Sequence, residues 1–265
     1  MSDDLILGGE FPAATHAQWL KLVDGVLKGA PFDKKLVSRT YDGLRIEPLY
    51  GRAAGATPVA GRTPGAAWTL KQRVDHPDPA AANAQALHDL ENGATGLTLV
   101  FAGSVSANGY GLDATAATLA RVLDGVALDA VTIDFNLSPP TRDAVWYFAD
   151  LVKSRGLAPA AIHMRASINP IGGFAASGTS PRPWSEVAQG FAGMVRDLAE
   201  QGFGGPFAVA DGRIIHNAGG SEAQELAFAI ASAVAYLRAL AAAGITLEAA
   251  RSMIYFRLSA DADQF

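Results

Sequence analysis

The sequence predicts an α/β protein built as a parallel βα repeat, and three observations lead there. Short β-rich apolar runs recur from about residue 66 onward. Between each pair stands a helical segment with its own start and stop signals. The runs are nearly continuous in apolar character, as strands covered on both faces are. Such alternation gives a parallel sheet with two common closures, an eight-stranded barrel or an open doubly wound sheet.

Five runs read as strands: Gly96–Phe101, Ala130–Phe135, Ala160–Met164, Pro206–Ala210 and Met253–Leu258. The helices between them are punctuated. Asp78 with Pro79 gives an N-cap and a first-turn proline, and Gly93 a stop. Asp113 can cap a helix running to about Leu123, and the next can run from Thr141 to Gly156. A fourth covers roughly Trp184–Gln201 and stops at Gly202. The fifth opens at Ser221, where S-E-A-Q matches the capping box, and Leu226, Ile230, Val234 and Leu237 follow as one apolar stripe up to Gly244. Residues 1–65 differ from the 66–265 domain: a helical segment near Thr15–Leu27 leads into TYDGLRIEPLYGRAAGATPVAGRTPG, read as an extended arm.

Composition narrows the function. With 49% hydrophobic and 18% charged residues the chain can bury a large core. A formal charge of -5 gives no electrostatic reason to expect nucleic acid or an anionic membrane as partner. The absence of cysteine removes disulfides, thiolate metal sites and a Cys nucleophile. The start MSDDLILGGEF lacks the basic and apolar parts of a signal peptide, and Arg238 interrupts the longest apolar stretch, which suits a buried helix better than a membrane span. A soluble cytoplasmic protein is expected.

No G-x-G-x-x-G follows the first predicted strand, where FAGSVSANGYG stands, and no P-loop occurs, so a dinucleotide-binding sheet or an NTPase is disfavoured. His216 follows the fourth predicted strand, where parallel βα folds gather functional groups, and its loop also holds Asp211, Arg213 and Asn217. His216 and Asp211 are the acid–base candidates, although two glycines and a histidine also suit an ordinary turn. The five histidines, His16, His76, His88, His163 and His216, show no metal-ligand spacing, and His163 reads as an interior strand residue. The stretch NPIGGFAASGTSPRPW (169–184) reads as a long loop without a serine-hydrolase elbow.

Four segments carry a family resemblance: TYDGLRIEPLYGR (40–52), AAWTLKQRV (66–74), NAQALHDLENGATGLTLVF (83–101) and AGGSEAQELAFAIASAVAYLRALAAAGI (218–245). Together they resemble the N-terminal barrel part of methylmalonyl-CoA mutase, in order and spacing, from about residue 36. The resemblance implies a TIM-barrel-type fold, here partial at about five strands. It also implies an adenosylcobalamin-dependent isomerase that interconverts methylmalonyl-CoA and succinyl-CoA. The barrel encloses the acyl-CoA and a separate domain binds the cobalamin.

At the positions that matter the chain departs from a catalytic one. Where the family keeps a Tyr-His pair ahead of the A-G-x-x-x-x-Q-E-L-A-F segment, this sequence has Arg213 and Ile214, and His216 falls two residues later. Thr63 stands five residues before Trp68, where the family has its substrate-contacting tyrosine. The segment HMRASINPIGGFAASG matches poorly the region that would supply a glutamine and a substrate-clamping arginine. There is no D-x-H-x-x-G cobalt-ligating motif, so adenosylcobalamin is expected in the family's full complex and no cofactor on this chain alone.

The closest resemblance in character is therefore to the small, non-catalytic subunit, with a role in assembly. The alternatives are an active acyl-CoA mutase chain with remodelled substrate residues, or an unrelated parallel-barrel enzyme. Five strands leave a barrel three βα units short, so an open sheet with two free edges and one apolar face is expected. Self-association or a catalytic mutase subunit would cover it, or the arm and the long 169–184 loop would cap the gap.

Overall fold

The computed structural model describes residues 12, 14–51, 53–57, 61, 63 and 65–260. The chain divides into two compact units, Met1–Gly61 and Arg62–Gln264.

The first unit holds helix α1 (His16–Leu27), capped by Thr15 and Gln18 in a reciprocal capping box, and the short helix α2 (Phe32–Leu36). The stretch read as an extended arm begins inside a hairpin: β1 (Ser38–Arg39), just ahead of it, pairs antiparallel with β2 (Arg45–Ile46) within it. Gly43, at φ 81°, makes the turn between them, a conformation that costs a glycine little. Arg45 ties the hairpin to α2 with two hydrogen bonds to Asp33, at 2.8 and 2.9 Å.

The second unit contains six parallel strands, one more than the sequence predicts. They are β3 (Lys71–Val74), β4 (Gly96–Val100), β5 (Thr132–Asn136), β6 (Met164–Arg165), β7 (Ala208–Asp211) and β8 (Ile254–Arg257). The unforeseen strand, β3, reads K-Q-R-V and has no apolar run. It is held by its ladder to β4, in which Lys71 lies opposite Gly96 and Val74 opposite Leu99. Strand order is β3-β4-β5-β6 in one ladder and β7-β8 in another, and a parallel bridge between Ile168 and Ala208 joins the two. The order rises without reversal, unlike a doubly wound sheet. No pairing joins β3 to β8 among the described residues, so the sheet is not closed.

Helices cover one face: α3 (Pro79–Glu91), α4 (Ala116–Val122), α5 (Ala144–Ser154), α7 (Trp184–Glu200) and α9 (Glu222–Ala242). Val74, Leu97, Leu99, Ile133, Phe135, Met164 and Ala208 point into this layer and are almost wholly buried. The capping box at Ser221 is present as predicted, with Gln224 closing it.

Other expectations need correction. Thr115, not Asp113, caps α4, and Thr141 ends a 3-10 turn, Pro139–Thr141, ahead of α5. The run expected as strand 160–164 begins with a 3-10 turn, Pro159–Ala161, and pairing starts only at Met164. His163 is consequently exposed rather than interior. The 169–184 stretch is not all loop. Asn169 caps helix α6 (Pro170–Ser177), Pro170 opens it, and Gly178 at φ 67° closes it.

Three of the four residues of the predicted apolar stripe of α9 face the wrong way, and only Leu237 packs against the core. Leu226, Ile230 and Val234 are 47%, 49% and 38% exposed, while Ala229, Ala233, Tyr236 and Leu240 form the buried face. Small alanines let the helix sit close to β7 and β8, and Tyr236 fills the remaining space against Phe191, with ring centroids 4.6 Å apart. By length and composition α9 could cross a membrane, the one such helix among the described residues.

The second face of the sheet is the largest departure. It was expected to be apolar, and it is polar and charged. Residues opposite one another in a parallel ladder point the same way. Arg73, Thr98, Asp134 and Arg165 therefore share this face. Asn136, Asp211 and Arg257 lie on it too.

Candidate functional site at the carboxyl ends of the strands

A cavity of about 780 Å³ opens where β4 to β8 end. Asn136, Ser138, Ser167, Asn169, Asp211 and Arg257 line it near the strand ends, Arg142, Asp143, Arg182 and Glu186 add further charged groups, and α6 and α7 supply an apolar wall that includes Phe174, Val187, Phe191 and Met194. The wall is well ordered locally: the Tyr236 hydroxyl donates to Asn169 Oδ1 at 2.7 Å and accepts from the Ile171 amide at 3.1 Å. Burial pushes the Tyr236 phenol above its ordinary value.

Asp134 is the centre of the inner face. Lys71 reaches one of its oxygens from β3. The other oxygen takes Arg257 Nη2 at 2.6 Å and has the Ser167 and Tyr255 hydroxyls at 3.2 Å. Along the sheet β8 is three strands from β5, a path of about 14 Å at the usual strand spacing. An arginine can close that path to a hydrogen bond only across the concave side of a curved sheet.

Electrostatics follow from this crowding. Burial raises the Asp134 carboxyl, but Arg257 and Lys71 outweigh it and hold the group below its ordinary value. Lys71 is lowered by burial, which Asp134 opposes and Arg165 and Arg257 reinforce. Tyr255 is pushed up by burial.

A second carboxylate, Asp211, holds Arg213 in a two-pronged pair, Nε to Oδ1 at 2.9 Å and Nη2 to Oδ2 at 2.6 Å. Arg257 Nη1 lies 3.8 Å from the same Asp211. Arg213 opens the short helix α8 (Arg213–Asn217), and Ile214 next to it is buried in the cavity wall.

The residues singled out from sequence are thus divided. Asp211, Arg213 and Ile214 stand at or beside the cavity. His216 does not line it; its Nδ1 lies 3.7 Å from Glu225 Oε2 on α9. Among the described residues no hydrogen bond or ion pair joins His216 to Asp211. Thr63 is exposed, and its carbonyl accepts from the Ala66 amide at 3.0 Å. Sequence reasoning missed Lys71, Asp134, Arg165, Ser167, Tyr255 and Arg257. A signal was present: Asp134 and Arg257 are single charges inside otherwise apolar runs, AVTIDF and MIYFRL. A charge in a strand buried on its other side must find a partner.

Fold and site together define a parallel βα protein with a ligand-sized cavity at the carboxyl ends of its strands. Residues 56–265 match the sequence model of a family described as Methylmalonyl-CoA mutase. The chain belongs to the methylmalonyl-CoA mutase family. It is 35% identical to the methylmalonyl-CoA mutase small subunit of Streptomyces virginiae, over 99% of this chain and 44% of that protein. The small subunits of Propionibacterium freudenreichii subsp. shermanii and Porphyromonas gingivalis are 30% and 28% identical, each over 98% of this chain and 42% of their own length. The chain spans under half the length of these relatives. A solved mandelate racemase/muconate lactonizing family protein from Azoarcus sp. EbN1 aligns at 18% identity, covering 71% of this chain and 43% of that one, with a TM-score of 0.32, too low to bear on the fold. Membership in the mutase family removes the unrelated-enzyme alternative.

Proposed function

We propose that this chain is a small-subunit-type portion of an adenosylcobalamin-dependent methylmalonyl-CoA mutase, serving assembly and stability in the cytoplasm rather than turnover. It forms part of a (β/α) barrel, six strands of the usual eight. One observation carries the reading. Where a catalytic chain of this family places its Tyr-His pair, Arg213 is committed to Asp211 and Ile214 is packed in the wall. Ile214 has no polar group to offer, and the Arg213 guanidinium holds its protons too tightly to exchange them as an imidazole does.

The donor set also does not suit the cobalamin that the family implies. None of the five histidines lines the cavity, so no imidazole stands ready for cobalt. No reaction step is assigned to that cofactor on this chain.

The reading is tested by mixing the purified chain with adenosylcobalamin and methylmalonyl-CoA, with and without a catalytic mutase subunit. No turnover by the chain alone, with co-elution in the mixture, is the expected result. Turnover by this chain plus a separate cobalamin domain would overturn it and favour the second reading, an active acyl-CoA mutase with remodelled residues. The retained cavity, with Arg257 in its lining, is the observation on that side.

A further inference from the structure

The side chains lining the cavity at the strand ends carry no net charge. Three arginines line it, Arg142, Arg182 and Arg257, and three carboxylates, Asp143, Glu186 and Asp211. Four of these six are exposed, Arg142 and Asp143 just ahead of α5, Arg182 and Glu186 around the start of α7, so water screens them.

The polar groups deeper in are already engaged. Asp211 grips Arg213, and Arg257 Nη2 donates to Asp134. The Ser138 hydroxyl donates to the Ala102 carbonyl at 2.9 Å, and that of Ser167 to Asp134 at 3.2 Å. Asn136 donates to Ser106 and accepts from Arg213, while Asn169 Oδ1 accepts the Tyr236 hydroxyl and the Gly172 amide. Ser104 Oγ is the single buried side-chain atom without a partner among the described residues, and Ser104 does not line the cavity.

The rest of the wall is largely apolar and rich in rings. Trp146 comes from α5, Phe174 from α6, and Val187, Phe191 and Met194 from α7. The volume, about 780 Å³, falls in the range that small-molecule sites occupy. A charged ligand entering this space would lose hydration and find no net countercharge, whereas an apolar one gains the wall at no such cost. Aromatic walls favour a ring that can stack or meet them edge-on.

We propose that this cavity binds a neutral, ring-bearing apolar small molecule against the wall formed by α5, α6 and α7. That is a different chemical class from a negatively charged acyl-CoA. The site stands whether the chain serves assembly or turnover.

The test titrates the 265-residue chain with the neutral fluorescent probe phenylnaphthylamine, and separately with its sulfonated analogue, anilinonaphthalene sulfonate. The neutral probe should saturate at one molecule per chain. The sulfonated one, with the same rings and one added charge, should bind at least about fivefold more weakly. A smaller difference overturns the neutral class, and a neutral probe that does not saturate overturns the site. Gly190 on α7 lines the cavity, and a Cβ there meets no atom within 4 Å. Gly190→Leu should therefore fill part of the space with the thermal midpoint kept or raised, and should increase the half-saturating concentration of the neutral probe about tenfold or more. Gly193→Leu makes the same change on the same helix outside the lining, and should leave the curve where it was. An unchanged curve in Gly190→Leu, or an equal loss in Gly193→Leu, would place the probe elsewhere and overturn the proposal. Should Gly190→Leu not fold, Val187→Thr keeps the shape of the wall and adds a hydroxyl. It must weaken the neutral probe about threefold or more, and an unchanged curve with it is equally fatal.

Discussion

The two faces of the one parallel sheet obey different rules. On the helix side, Leu97, Leu99, Ile133 and Phe135 are fully buried apolar side chains that interdigitate with α3, α4 and α5. Phe135 stacks on Phe101 at 6.0 Å and meets Phe148 edge-on at 5.3 Å. On the other side, one strand position away, Asp134 gathers Lys71, Arg257, Ser167 and Tyr255. The apolar face needs only volume and hydrophobicity, whereas the charged face needs particular partners at particular distances. That difference decides what can be read from sequence and what a substitution will cost.

The largest effect is expected from the apolar face. Phe135→Ala removes a ring from the centre of the core and should lower the unfolding free energy by about 4 kcal/mol, read from urea denaturation. A loss below about 1 kcal/mol would mean that the faces do not differ as described.

The apolar face is also the part of the fold legible in the sequence. Runs such as GLTLVF and the caps at Asp78 and Ser221 place most strands and helices within a few residues. What failed did so for physical reasons. Strand β3 offers K-Q-R-V, because it lies at the end of the ladder and turns Lys71 and Arg73 to the charged face. The stripe Leu226, Ile230, Val234 has the right spacing, but periodicity does not say which of two apolar faces meets the sheet. The candidate site was half legible. Position relative to a strand end found Asp211 and Arg213, but the Asp134 cluster is assembled from β3, β5, β8 and the segment just after β6, and no local pattern announces it.

The next effect tests the charged face. Asp134→Asn leaves Lys71 and Arg257 facing each other without a full negative charge, and should cost about 3 kcal/mol. It should also change the pH dependence. Since the folded carboxyl lies below its ordinary value, its contribution is present above the unfolded value near 3.8 and is lost as pH falls through the folded one. The unaltered chain should therefore lose stability on acidification more steeply than Asp134→Asn. Parallel pH curves would refute the assigned role of the cluster.

Smaller effects sharpen the contrast within the covering layer. Ser221→Ala removes the hydroxyl that accepts the Gln224 amide and should lower stability by about 1 kcal/mol, with α9 retained in circular dichroism. The cost is modest because the helix is held mainly by its packing on β7 and β8.

The outward side of α9 should behave as neither sheet face does. Ile230 is apolar yet 49% exposed, with Leu226 and Val234 one turn to either side. In the isolated chain Ile230→Ser exposes no new cavity and breaks no hydrogen bond, so its unfolding free energy should change by less than about 0.5 kcal/mol. An apolar stripe of this kind on a covering helix costs solubility unless something lies on it. The same substitution should therefore weaken association of the chain, with itself or with a catalytic mutase subunit, in size-exclusion chromatography at matched concentration. Unchanged elution together with unchanged stability would make the stripe an ordinary piece of surface. A loss of stability above about 2 kcal/mol would place Ile230 in the core, and with it reverse the orientation of α9 on the sheet.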